Sequence, residues 1–200
     1  MRSPALFAPL AATAAVLASL VFVPSAAVAA EVPDPQLHYT FDGLGGGDSL
    51  AAGEAIPDSG VRETRTDGVV RNSAVGIVPG VTGAPGDTAI QLAGGRNSAD
   101  DIAPYIALPN DILDPSDTAV TVSVWAKWDG DANGNCQLLF GLGRSTTKNV
   151  LSSTSCFGTY GAVSDAPNGE QRVGNGGDTL PHGTWTNVAL VFDAAGQTIS

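Results

Sequence analysis

Two hundred residues suffice for one domain of ordinary size, and nine basic against twenty acidic side chains leave a formal net charge of −11. A chain so acidic repels phosphate backbones and anionic lipid, which argues against nucleic-acid binding and docking to a negatively charged membrane. Only 14% of residues are charged and two are lysine, which excludes a coiled coil, while 25 glycines and 13 prolines suit short strands joined by tight turns.

The chain opens with Arg2 as a minimal basic region. An apolar stretch from Ala5 to Val23 follows, interrupted only by Pro9, Thr13 and Ser19, and then Pro24-Ser25-Ala26-Ala27-Val28-Ala29-Ala30. Small residues before the cleavage point identify residues 1–30 as a secretory signal peptide, cut after Ala29 or Ala30. The acidic segment from Glu31 lacks the basic flank of a membrane anchor. Removing 30 residues takes away one Arg and 22 apolar side chains, leaving about 170 residues with a charge near −12 and an apolar fraction of about 38%. That still fills a two-sheet core. No later segment reaches membrane-spanning length, so the expected product is secreted and is not inserted in a membrane.

From residue 36 onward the dominant signal is period-two alternation. In Gln36–Asp42, Leu37, Tyr39 and Phe41 point one way and His38, Thr40 and Asp42 the other. Shorter apolar runs follow at Thr88–Ala93 and Tyr105–Leu108. The clearest strand is Val120–Trp128, with Val120, Val122, Val124, Ala126 and Trp128 on one face and Thr121, Ser123, Trp125 and Lys127 on the other. Gln137–Leu142, Asn149–Ser152 and Trp185–Phe192 complete the set, and turn clusters such as Gly43–Gly47, Pro57-Asp58-Ser59-Gly60, Gly83–Asp87 and Gly174–Asp178 separate the runs. No convincing helical period exceeds a turn or two. The predicted class is all-β, an antiparallel two-sheet jelly-roll sandwich. At the end, Trp185–Phe192 turns at Asp193-Ala194-Ala195-Gly196 into a partner of only four residues, Gln197–Ser200, with Ile199 on the core side. So short a partner for so long a strand points to a domain that continues past Ser200.

The six segments Leu37–Gly43, Pro57–Gly60, Ala89–Leu92, Tyr105–Pro109, Val120–Trp128 and Gly183–Val191, in that order, resemble successive landmarks of the bacterial LamG-like (laminin G, concanavalin A-like) jelly roll. The resemblance runs from about residue 36 to the end. It implies an accessory module that commonly binds carbohydrate and is often attached to secreted glycoside hydrolases. The family continues past the final hairpin with a Tyr-x-x-Gly strand that is absent here, so residues 31–200 are expected to form a LamG-like domain incomplete at its C-terminal end and monomeric when complete. The resemblance also implies one structural calcium ion, with Asp42 and Asp58 as the acidic residues in the matching early motifs. A second reading of both is that of ordinary turn residues.

Catalysis has no visible machinery in these residues. The four glutamates, Glu31, Glu54, Glu63 and Glu170, have no acidic partner at i+2 or i+4 on a predicted strand, as paired-carboxylate glycoside hydrolysis on one strand face requires. His38 and His182 stand apart from any Gly-x-Ser-x-Gly elbow, and no glycine run leads into Gly-Lys-Ser/Thr. Asp129, Asp131, Asn133 and Gly134 match the start of a calcium loop, but Phe140 stands where the bidentate Glu belongs, which excludes an EF-hand. A polar hairpin loop and a partial calcium site completed by distant ligands both remain open.

Sugar binding asks for an exposed aromatic ring with polar neighbours. Trp125, on the polar side of its strand, and Tyr105, opening another, are the candidates, with burial of Trp125 under the opposite sheet or a loop as the alternative. Trp128 and Trp185 align with apolar faces and are expected in the core. The function expected is a secreted, non-catalytic carbohydrate-binding module, the N-terminal part of a larger polysaccharide-degrading enzyme whose catalytic domain lies beyond Ser200. The competing function is a cell-surface adhesion or spacer module that binds protein or nothing.

Export sets the chemistry of the two cysteines. In an oxidising compartment Cys136 and Cys156 are expected to form a disulfide closing a loop of 20 residues. Such a bridge stabilises by about 3 kcal/mol in the chain-entropy picture. Mass spectrometry of the secreted protein under non-reducing conditions should find no free thiol; two alkylatable cysteines would rule the bridge out.

Overall fold

The computed structural model describes residues 33–44, 48–64, 66–94, 103–110, 112–113, 117–130, 137–145, 148–153, 158–166, 169–174, 179–193, 195–196 and 198–200. Among them there is no helix. The first half contributes β1 (Ser49–Leu50), β2 (Ala55–Ile56), β3 (Gly68–Arg71), β4 (Val75–Pro79), β5 (Thr88–Gln91) and β6 (Tyr105–Ala107). The second contributes β7 (Ala119–Lys127), β8 (Leu138–Ser145), β9 (Lys148–Ser153), β10 (Tyr160–Ser164), β11 (Gln171–Val173), β12 (Trp185–Asp193) and β13 (Thr198–Ile199). These described strands pair antiparallel in the orders β1-β4-β5, β2-β3-β6, β11-β10-β9-β8 and β13-β12-β7. Asp34–Ser200 forms one compact unit, and Met1–Pro33 separates from it. The predicted all-β architecture is present.

The first half is held by a cluster of four buried aliphatic side chains, Leu50, Ile56, Val70 and Val75, drawn from β1, β2, β3 and β4. Burying such a side chain contributes about 1.5–3 kcal/mol, so the four together outweigh a single short ladder of two pairs, worth about 1–3 kcal/mol. Four of these strands, β1–β4, were not legible as alternating runs. They are two to five residues long, and Gly68, Gly76 and Pro79 dilute their apolar pattern.

Gln36–Asp42, predicted as a strand, belongs to no ladder; it bends at Gln36 and Leu37 and turns at Asp42, with Phe41 at φ 62°. Its alternation is real: Leu37, Tyr39 and Phe41 are partly buried, His38, Thr40 and Asp42 exposed, and Tyr39 and Phe41 pack on the aliphatic cluster. Its backbone is satisfied instead by the segment after β2, through Ser59 N to His38 O (2.8 Å), Val61 N to Pro35 O (3.0 Å) and Arg62 N to Gln36 O (3.2 Å). Gly60 permits this crossing, because a Cβ there would lie 2.3 Å from the Gln36 carbonyl oxygen.

The longest ladder joins β7 to β12 without a break, from Ala119 opposite Asp193 to Lys127 opposite Trp185. β13 adds Ile199 opposite Phe192, which places Ile199 on the inward side as expected. Inward from β12, the buried Leu190 reaches β10, where a Cβ on Gly161 would lie 2.2 Å from Leu190 Cδ1. A residue without a side chain lets the two sheets meet there. Gly161→Ala is therefore expected to lower stability by about 1–3 kcal/mol through overpacking. The same change at Gly141, where an added Cβ meets nothing within 4 Å, should leave it unchanged or slightly raised. Urea denaturation of the two variants makes the comparison, and equal midpoints would show that the sheets do not meet at Gly161.

Candidate functional site

The β7–β12 ladder builds one continuous outer surface. Along β7 the odd-numbered residues are exposed and the even-numbered ones partly buried, for the whole nine residues. Residues directly opposite one another in an antiparallel pair project to the same face. The register therefore sets Trp125 beside Asn187, Ser123 beside Ala189, Thr121 beside Val191 and Lys127 beside Trp185. Trp125 is 53% exposed, so of the two readings open for it the structure adopts the exposed one. Asn187 Nδ2 donates to Ser123 Oγ at 3.1 Å, tying the polar centre of the surface across the two strands.

Trp185 corrects an expectation. Its apolar run suggested the core, yet the inward residues of β12 are Val188, Leu190 and Phe192, and Trp185 shares parity with the exposed Asn187 and Ala189. It is partly exposed, on the same face as Trp125 and diagonal to it across the ladder. The run Val188–Phe192 is apolar at every position and hides this parity; only the pairing with β7 reveals it.

Trp128, by contrast, sits half-buried at the end of β7, with the parity of the inward valines. Its indole Nε1 donates to Gln137 Oε1 at 2.6 Å, and the His182 ring meets it edge-on at 4.8 Å between centroids and 72° between planes. Gly183 N donates to Trp128 O at 2.8 Å, so the end of β7 is fastened to the loop that enters β12. This fastening lies next to Lys127 and Trp185 and fixes where that end of the surface sits.

Tyr105, the second aromatic candidate, is also exposed, at 47%, but it belongs to β6 and lies opposite Arg71 on β3. Among the described residues no ladder brings it to Trp125. Asp42 is exposed, and its Oδ1 accepts a long hydrogen bond of 3.4 Å from Thr88 N. Asp129 is exposed just past β7, while Asp131, Asn133, Cys136 and Cys156 lie outside the described residues.

Asp58 is the buried polar residue around which the N-terminal segment is folded. Only 2% of its surface is exposed. Its Oδ1 accepts from His38 N (2.9 Å) and Gly60 N (2.8 Å), its Oδ2 accepts from Thr66 Oγ1 (3.1 Å), and its own N–H donates to Asp67 Oδ1 (3.0 Å). Tyr39 OH donates to Thr66 O at 2.6 Å alongside. Both carboxylate oxygens thus accept from protein donors, the arrangement of an internal cap. Among the described residues no group of three or more His, Cys, Asp or Glu side chains is placed to hold a metal ion.

Burial pushes the Asp58 carboxyl up, but the N–H groups of His38 and Gly60 and the Thr66 hydroxyl outweigh it and hold the group below the usual carboxylate range. A depressed folded-state value adds stability that is complete above the unfolded value of about 3.9 and is lost as pH falls through the folded one. Asp58→Ala, which leaves those donors unpaired, should cost about 2–3 kcal/mol at neutral pH. In Asp58→Asn the acid limb of the stability profile should flatten. Urea melts from pH 2 to 7 make the measurement, and an acid limb unchanged in Asp58→Asn would show that another carboxylate carries it.

An all-β antiparallel sandwich is the general character of a concanavalin A-like domain. Residues 100–200 match the Laminin_G_3 family model, described as the concanavalin A-like lectin/glucanases superfamily, and the chain belongs to that family. Three of the six landmark segments, those beginning at Tyr105, Val120 and Gly183, fall within the matched residues, which also contain the whole β7–β12 surface. No curated protein and no solved structure matches the chain.

Proposed function

We propose that this domain is a secreted, non-catalytic carbohydrate-binding module that holds a polysaccharide against the outer face of β7 and β12. The observation that carries the reading is Trp125, more than half exposed on a polar strand face with a second indole, Trp185, on the same face. An exposed indole costs hydration unless something apolar covers it, and the flat C–H face of a pyranose is such a partner. The Ser123–Asn187 pair between the strands offers hydroxyl and amide groups to sugar hydroxyls. Attachment to a polysaccharide-degrading enzyme, and export through cleavage after Ala29 or Ala30, belong to the same proposal.

Affinity electrophoresis against a panel of soluble polysaccharides tests it. Trp125→Ala should weaken binding at least tenfold, about 1.4 kcal/mol. Tyr105→Ala measures whether the ligand also reaches β6. Failure of every polysaccharide to retard the protein would favour an adhesion or spacer role.

A structural calcium ion forms part of the proposal through Asp42 and the segment Asp129–Asn133 before Asp58, whose two oxygens already accept from three protein donors. A ligand that binds the folded state alone stabilises by mass action. EDTA should then lower the melting temperature and millimolar Ca²⁺ restore it; a curve indifferent to both removes calcium from the reading.

A further inference from the structure

The outer face of β7 and β12 carries its charge unevenly. Its outward residues from 121 to 127 and from 185 to 191 are Thr121, Ser123, Trp125, Lys127, Trp185, Asn187, Ala189 and Val191, and none is acidic. Lys127 is the one cation among them, exposed, directly opposite Trp185 and two residues from Trp125. It forms no ion pair with any described residue. The face's own aspartate, Asp193, stands at the far end opposite Ala119, where its carboxylate accepts from the N–H groups of Ala195 and Gly196. Asp129 lies beyond the end of the strand.

This placement is the reverse of what the composition supplies. Acidic side chains outnumber basic ones by twenty to nine and the chain holds two lysines, yet the charged residue adjoining both indoles is a lysine. Directly opposed residues in an antiparallel pair have Cβ atoms about 5 Å apart and diagonal ones about 7–8 Å. A lysine stem therefore brings its ammonium to the rim of a sugar ring stacked on either indole; within the paired strands no carboxylate adjoins it, and the exposed Asp129 follows two residues on, past the end of β7.

We propose that the face selects a polysaccharide bearing anionic substituents on its rings, carboxylate or sulfate, with Lys127 as the residue that pairs with them. The inference rests on the reading of this face as a glycan platform. A lysine acts as a compact point charge with three donors and needs no planar bidentate partner, so it accepts either group. The remaining acidic charge of the domain acts at longer range. At 0.15 M salt the Debye length is about 8 Å, so distant carboxylates are screened while a contact at Lys127 is not.

The experiment measures binding, at 0.15 M salt, to polygalacturonate, to the same polymer after chemical reduction of its carboxyl groups, and to a sulfated polysaccharide. The wild-type domain is expected to bind polygalacturonate or the sulfated polymer at least tenfold more tightly than the reduced, neutral one, and the preferred polymer identifies which anion is read. Lys127→Gln should abolish most of that preference and Lys127→Arg should keep it, with unchanged urea midpoints showing that both variants fold. Equal affinity for acidic and neutral polymers, or a preference that survives in Lys127→Gln, would overturn the assignment to Lys127 while leaving the platform intact. If Trp125→Ala binds every polymer as the wild type does, or if no polymer binds, the platform itself fails and this inference with it.

Discussion

The unbroken antiparallel pairing of β7 with β12 is the constraint on which the rest of the domain's second half depends. Because side chains alternate with a period of two, one register decides the facing of eighteen residues at once, and a slip by one would turn every one of them over. In the observed register the valines of β7 and Val188, Leu190 and Phe192 of β12 point inward together. Leu190 then finds Gly161 on β10, and the sheet is seated. The same register places two tryptophans, an asparagine, a serine and a lysine on the opposite side. Packing and surface chemistry are two consequences of one pairing.

The first half is organised by different forces. Its ladders are short, and four aliphatic side chains with zero to 7% of their surface exposed supply the cohesion. The segment before β1 has no ladder, and its order depends on a buried carboxylate whose oxygens are shared among backbone and hydroxyl donors from three separate stretches of chain. An ionised group pays for burial only when its lone pairs are satisfied, as those of Asp58 are. Tyr39 contributes twice, by packing against the aliphatic cluster and by donating to Thr66 O. Burial, the largest influence on its phenol, raises that group's pKa. The Pro57–Gly60 stretch reads locally as a surface turn, yet it carries the most buried charge among the described residues.

The functional proposal follows from the same asymmetry between faces. A sheet buried on one side and wet on the other ordinarily carries small polar residues outward, and the outer face of β7 does so at Thr121 and Ser123. Trp125 and Trp185 depart from that pattern, and a partner that covers indoles while hydrogen-bonding to Asn187 and Ser123 has the mixed surface of a sugar. In the proposal, the lysine adjoining both indoles adds a charge criterion to a shape criterion. Stacking discriminates poorly among pyranoses, whereas an ammonium separates an anionic ring from a neutral one.

Much of this was written locally in the chain. The absence of helical period, the alternation of Val120–Trp128 and the turn residues between runs determined an all-β antiparallel domain, and the strict polar-apolar parity of β7 placed Trp125 on the outer side. What locality could not settle was whether anything covered that side, since an outward residue is exposed only if no other segment packs on it. The facing of Trp185 is hidden for a related reason: a strand apolar at every position from 188 to 192 has no parity of its own, and the facing of its first residue is inherited from the strand it pairs with. The strands β1–β4 leave no local signal because two to five residues are too few to show a period, and distant partners stabilise them. The role of Asp58 was likewise hidden, because its donors, His38, Gly60 and Thr66, are brought together only by the fold. The sequence by itself determined the class of fold and the first tryptophan of the surface. The second tryptophan, the lysine beside it and the buried carboxylate were decided by pairing and burial, which are properties of residues far apart in the chain and not of any one segment.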